Sequence, residues 1–382
     1  MDHFVTQRFG IVGSVLLLSS CAGPWLSSPQ RELSSTIERL MEREQVQGLA
    51  LAVIDNGKVT RVDTWGWRNV ERRLPLTPST IMYGASLTKA AFAYMLMQLV
   101  DERRIDLDAS IATILPRPLP EYEDYKALAG DNRWRSLTPR ILLTHSPGFA
   151  NFGWLEPDQK LRFHFQPGSR YAYSGQGFYI LQLLLEEGLK LDVGREMQAR
   201  VFDRFGMKNT SMTWRPNFSE NLADGYGVDG KMEPHDERSS VRAAGSMDTS
   251  IEDQALLWAG IVRGDGLSAA SRAAFVRPGL PITSAHQFPT LRETTEPRNT
   301  AVKLAAGLGV VTFADRTGPA WFKGGHNDFT GNMVVCQETG RRCVVLLSND
   351  VRAEKIFPDI VQLILGDTRM PWRWEYGWYV EH

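Results

Sequence analysis

The rhythm of apolar and polar positions changes along the chain from strand-like to helical and back again. After Ser34 and Ser35, both suited to capping a helix, Ile37, Leu40 and Met41 recur at helical spacing to about Gln45, and Gly48 stops the run. Residues 49–55 are a continuous apolar segment, Asn56-Gly57 is the dipeptide of a tight hairpin turn, and 58–67 reads as the returning strand. Pro75 and Pro78 mark a loop. Residues 87–104 hold Ala90, Ala91, Phe92, Met95, Leu96 and Leu99 with no Gly or Pro, which predicts a long helix. The stretches 137–143, 176–187 and 193–205 also read as helical, broken by Pro-Gly pairs at 147–148 and 167–168.

Ser250 with Asp253 forms a capping pattern that opens a helix to about Arg263. Short apolar or β-branched runs then return at 307–313, 320–323, 330–336 and 343–347, followed by a helix over 353–365 and an aromatic ending at 372–378, which reads as packing. Strands therefore lie at both ends and helices between them. The simplest arrangement is an α+β sandwich: one antiparallel sheet built from the N- and C-terminal segments, flanked by helices, with a mainly helical subdomain inserted at about 86–230. No internal repeat or low-complexity tract interrupts it.

Composition narrows the function. Over 382 residues, 43 Lys+Arg nearly cancel 44 Asp+Glu, so no basic face is implied and nucleic acid is excluded as a partner. Arg8, the apolar run 11–18 and the small residues Ser19, Ser20 and Cys21 have the layout of a secretory signal too short to span a bilayer. Leu18-Ser19-Ser20-Cys21 resembles the bacterial lipoprotein signal. Residues 1–20 are then expected to be removed, Cys21 lipidated, and 21–33 left as a tether before a single domain over 34–382. This places the protein in the periplasm on a membrane, the outer one in a Gram-negative cell because Ala22 rather than Asp follows the Cys. Cys336 and Cys343 fall opposite each other in a predicted hairpin, where they form a disulfide or remain two free thiols.

Ser86-Leu87-Thr88-Lys89 opens the long helix, and its i, i+3 spacing puts hydroxyl and amine on one face. A Ser nucleophile needs a base, and a Lys serves if burial lowers its pKa. Read by itself, Ser86 is more simply an N-cap. The surroundings favour catalysis. Residues 86–115, Leu142-Leu143-Thr144-His145-Ser146-Pro147-Gly148, Phe165-Gln166-Pro167-Gly168 leading to Tyr171-Ala172-Tyr173-Ser174-Gly175, Phe205-Gly206-Met207-Lys208-Asn209-Thr210, Ala243-Ala244-Gly245-Ser246-Met247 and Trp321-Phe322-Lys323-Gly324-Gly325-His326 follow one another in a familiar order. Over roughly 35–350 the chain resembles the class C β-lactamase and penicillin-binding-protein superfamily of serine hydrolases, which includes D,D-peptidases and family VIII esterases.

The resemblance implies roles. Ser86 is the nucleophile. Lys89 and Tyr173 share the acid–base work, Tyr173 with a pKa lowered by Lys89 and Lys323. The backbone N–H groups of Ser86 and His326 form the oxyanion hole, and Lys323, Gly324, Gly325 and His326 line the bound substrate. Two departures stand out. Gly175 replaces an Asn whose amide binds substrate, and Gly324 replaces a Thr whose hydroxyl binds a substrate carboxylate, while Lys323 keeps a cation for such a group. The expected function is acyl transfer through a Ser86 acyl-enzyme on a β-lactam or a D-amino-acid peptide or amide. A carboxylesterase of small acyl esters and an inactive binder of cell-wall fragments are the alternatives. His145 is expected to be structural, the remaining histidines lack ligand spacing, and neither metal nor organic cofactor is implied. The partner is a small-molecule or peptide substrate, and the protein is expected to act as a monomer.

Overall fold

A computed structural model describes Met1 and residues 28–377. The expected signal peptide, the lipidated Cys21 and the first part of the tether lie outside the described residues. The tether's end does not extend as a linker: helix α1 spans Ser28–Glu44. It starts earlier than expected because Leu33 joins Ile37, Leu40 and Met41 on the face packed against the sheet. Ser34 is drawn into a tertiary bond, accepting from the Trp65 indole at 2.8 Å, rather than into a cap.

Among the described residues the central sheet has nine antiparallel strands. In chain order they are β1 Gly48–Asp55, β2 Lys58–Asn69, β3 Leu74–Pro75, β4 Leu280–Pro281, β5 Ala305–Ala306, β6 Val311–Asp315, β7 Gly318–Asn327, β8 Thr330–Gln337 and β9 Arg342–Ser348. Their order across the sheet is β3-β2-β1-β9-β8-β7-β6-β5-β4, so the two ends of the chain meet where β1 pairs with β9, Leu51 opposite Leu346. The first hairpin turns on Asn56 and Gly57, whose φ values of 51° and 72° are those of the primed turn expected from the dipeptide.

β1, β8 and β9 are buried at nearly every position because both faces of the sheet are covered. Leu49, Leu51, Met333, Val335, Val344 and Leu346 face a layer formed by α1 and the later helix α5, Phe357–Leu365. Ala50, Ala52, Val334, Val345 and Leu347 face the other layer. That layer contains α2 (Leu87–Asp101), α3 (Gly175–Leu183) and α4 (Ile251–Arg263). Cys336 and Cys343 pair across β8 and β9 on this second face and are joined by a disulfide.

Several boundaries differ from the sequence reading. α2 ends at Asp101, because Arg103 takes a left-handed φ of 58°. The expected helix over 353–365 is a 3₁₀ turn, Val351–Lys355, followed by α5, which restarts with Pro358 in its first turn. The helical middle is partly short 3₁₀ segments, and the helices begun at Gly175 and Val193 loosen into π-turns at Leu184–Gly188 and Gln198–Asp203. No described helix is long and apolar enough to cross a membrane.

The doubly covered sheet gives a direct stability expectation. Leu346 is fully buried, whereas Leu363 on α5 is 52% exposed. In urea melts, Leu346→Ala should lose about 2–5 kcal/mol, and Leu363→Ala about 0.5 kcal/mol or less. Equal losses would contradict the assigned faces.

Candidate active site

Ser86 stands at the N-cap position of α2, but with helical dihedrals (φ −73°, ψ −2°) and no side-chain capping bond. The simple-cap reading therefore fails: the hydroxyl faces elsewhere. Lys89 Nζ lies 3.0 Å from Ser86 Oγ, and the Tyr173 phenol donates to the same oxygen at 2.8 Å. Residue 85, just before the nucleophile candidate, is an Ala at φ 45°, a left-handed conformation that side chains rarely adopt. The Thr88 hydroxyl donates to its carbonyl and holds the turn. Strain of this kind collects at functional sites.

Lys89 is 2% exposed. Its amine also donates to the Ala244 carbonyl at 2.5 Å and lies over the rings of Tyr173 and Phe178, with no carboxylate bonded to it among the described residues. Burial, and then the charge of Lys323, hold its pKa well below the ordinary lysine value. Such an amine gives up its proton more readily than an ordinary lysine, which suits it to accept the serine proton.

Tyr173 behaves differently from the sequence expectation. Burial pushes its phenol up, and the bond to Ser86 offsets this only in part. Lys89 and Lys323 sit 5.0 and 5.3 Å from its ring centroid, but the burial of the phenol outweighs them. Tyr173 is thus a protonated donor. His145 stacks on it with centroids 4.3 Å apart and accepts the Ser174 N–H at Nδ1, 3.1 Å. Burial, then Lys89 and Lys323, keep the imidazole pKa well below its usual value, so His145 packs and orients the tyrosine as a neutral ring.

The third wall is β7. Its pairing with β6 stops at Phe322, so Lys323 to Asn327 present a free strand edge toward the cavity. Successive residues point to opposite faces. A side chain at Gly325 would bring its Cβ within 3.0 Å of the backbone nitrogens of Ser86 and Leu87, which explains the glycine. No backbone carbonyl among the described residues accepts from the Ser86 N–H, an orphan donor at the helix start. A side chain at Gly324 would instead overlap the Glu375 carboxylate. Lys323 is buried, donates to the Gly324 carbonyl at 2.6 Å, and has its pKa lowered to about 8 by burial, with Glu375 opposing the shift. His326 Nδ1 lies 3.0 Å from Glu354 Oε1; burial lowers its pKa, but Glu354 more than offsets this and leaves it raised.

Ser86, Lys89, Tyr173, Lys323, Gly324, Gly325 and His326 all line one cavity of about 320 Å³. Only Cys336 and Cys343, in the sheet, and Cys21, outside the described residues, lie elsewhere. Sequence reasoning missed Asn151, Phe152, Arg242 and Glu375 in the same walls. Phe152 fills the space beside Gly175 that a side chain there would need, and Asn151 Oδ1 accepts the Gly175 N–H at 2.8 Å. An amide thus lines the cavity from a neighbouring loop. Glu375 comes from α6, Trp372–Glu375, inside the aromatic ending. Its Trp374 packs on Tyr171 and Phe322 as expected of that run, while nothing in the sequence marked the acid between them. A second cavity of about 690 Å³ adjoins the first at Trp154, Tyr179 and Arg242.

Comparison with known proteins places the chain in a family and a fold. The Beta-lactamase family model matches residues 33–365. A D-aminopeptidase of Gluconobacter oxydans is 30% identical over 181 residues, 46% of this chain and 34% of that protein. The chain thus matches about a third of the length of that curated relative. The octameric penicillin-binding protein homologue of Pyrococcus abyssi superposes with a TM-score of 0.70 at 20% identity, covering 89% of this chain and 78% of that one. A beta-lactamase/D-alanine carboxypeptidase from Pseudomonas syringae gives 0.71 at 15% identity over 89% and 99%. At these identities the structures establish a shared fold.

The close approach at Gly325 is testable. Gly325→Ala places a methyl against backbone that cannot yield, and should slow modification of Ser86 by a fluorophosphonate at least ~100-fold. A rate within threefold of the parent would contradict the approach.

Proposed function

Because the chain belongs to the Beta-lactamase family, we propose that it is a serine hydrolase that forms an acyl-enzyme on Ser86 and acts on D-amino-acid peptides or amides. The observation that carries the reading is the pair of contacts at Ser86 Oγ: a buried, depressed-pKa amine at 3.0 Å and a protonated phenol at 2.8 Å. In the acylation step Lys89 takes the Oγ proton as oxygen attacks the acyl carbon. The oxyanion is met by the backbone N–H groups of Ser86 and His326. Tyr173 gives its proton to the leaving amine and is reprotonated from Lys89, so the amine is neutral again. Water then takes the place of the leaving group, its proton passing back along the same route.

The substrate class draws on the relative named a D-aminopeptidase and the neighbour described as a beta-lactamase/D-alanine carboxypeptidase. β-Lactams, which carry a carboxylate, are an alternative substrate class. A carboxylesterase is the second reading, favoured by Gly175 and Gly324, which lack the amide and hydroxyl expected there. The intact set of Ser86, Lys89 and Tyr173 argues against an inactive binding protein. Export, with anchoring through a lipid on Cys21, remains part of the proposal.

Steady-state turnover of D-alanine p-nitroanilide, a chromogenic cephalosporin and p-nitrophenyl butyrate should be compared for the parent and Ser86→Ala. Amide turnover that vanishes in the variant is expected. Ester turnover alone would favour the esterase, and activity surviving in Ser86→Ala would reject Ser86 as nucleophile. A second expectation concerns pH. The Lys323 charge lowers the Lys89 pKa, so its removal in Lys323→Met should raise that pKa. The rising limb of kcat/KM against pH, which reports the free-enzyme base, should then move to higher pH. A limb that stays or moves down would contradict Lys89 as the base.

A further inference from the structure

Glu375 is an acid that the mechanism does not use, yet it lines the catalytic cavity and is only 6% exposed. Its Oε2 accepts from Gln287 Nε2 at 2.5 Å, and its Oε1 fills the space beside Gly324 that any larger residue would need. Burial raises its pKa to about 7; Lys323 and His326 oppose the rise and Glu354 adds to it, so the acid is an anion above about pH 7. Glu354 is already engaged by His326. Lys323 and Glu375 form no ion pair but meet around Gly324 in one cavity: the amine holds the Gly324 carbonyl at 2.6 Å, and the carboxyl fills the space beside its Cα. A carboxylate arriving on a substrate at this cation would find an acid of the chain across Gly324. It would then add a second negative charge in a buried site, which is strongly unfavourable.

We propose that Glu375 is a specificity-determining residue that supplies the Lys323 corner with a carboxylate from within the chain, so that the site takes uncharged or amine-bearing esters and amides and rejects substrates that would place a carboxylate there. The inference rests on the serine hydrolase reading for its kinetic test but not for its binding test. Gly324 and Glu375 form one device: the glycine makes the room that the acid occupies.

The binding test is calorimetric titration with benzoate and benzamide. Glu375→Gln keeps the shape and the contact with Gln287, and Gly324→Thr displaces the acid from the opposite side. Either variant should improve the affinity for benzoate relative to benzamide at least tenfold over the parent. An unchanged ratio in both overturns the inference, whether or not the protein is an enzyme. The kinetic test compares phenyl acetate with 3-acetoxybenzoate. The parent should prefer the neutral ester at least tenfold, and Glu375→Gln should narrow that preference at least tenfold. Equal use of both esters by the parent overturns the inference. Turnover that is indifferent to Ser86→Ala would instead reject the serine hydrolase reading and leave the calorimetric result to decide on Glu375.

Discussion

The proposed chemistry depends on the desolvation of one amine. Lys89 sits on α2 at the cavity wall, 2% exposed, and no acid is bonded to it among the described residues. An ammonium there is costly, so its pKa is held well below the ordinary lysine value, as the proposed role of base requires. Every nearby feature serves or tolerates that condition. The apolar face of α2 keeps the site dry. Lys323 adds a like charge, and His145 is neutral for the same reason. Tyr173, buried in the same region, is pushed the other way and keeps its proton. One environment thus separates a base from an acid on either side of a single hydroxyl, a division of labour set by burial more than by local charge pairs.

The fold supplies the pieces from three places. The start of α2 brings the serine and lysine, the segment before α3 brings the tyrosine, and the free edge of β7 brings the backbone that faces Ser86. The β7 edge is fixed because its partner β8 lies at the centre of a sheet covered on both faces. Two glycines in these segments, Gly175 and Gly324, at first look like losses. Each is occupied from elsewhere: Phe152 and Asn151 at one, Glu375 at the other. The cavity keeps an amide and gains an acid, so its chemistry has been redrawn without moving the serine, lysine and tyrosine.

Much of this was legible in the chain. The apolar runs of β1, β8 and β9 and the Gly-free stretch of α2 announce a sandwich, because long patterns are dictated by what covers them. Ser86 and Lys89 stood out by their i, i+3 helical spacing, and Tyr173 and Lys323 only through the resemblance to the serine hydrolase superfamily; all four line one cavity. Strands such as Leu74–Pro75 and Ala305–Ala306 were missed because two residues carry no period. Glu375 and Asn151 were missed because they reach the cavity through tertiary packing, which leaves no local pattern. The state of Tyr173 was misjudged for a related reason: sequence names the neighbouring cations but not the burial of the phenol itself.

The protonation state of Lys89 is therefore the quantity to measure. Protein carrying ¹³Cε-labelled lysine, with Lys89 assigned by its absence in Lys89→Arg, can be titrated by NMR. The account predicts a Lys89 resonance already in the neutral-amine position near pH 8, titrating well below the other lysines. A Lys89 signal that stays in the ammonium position until about pH 10, with the exposed lysines, would contradict it.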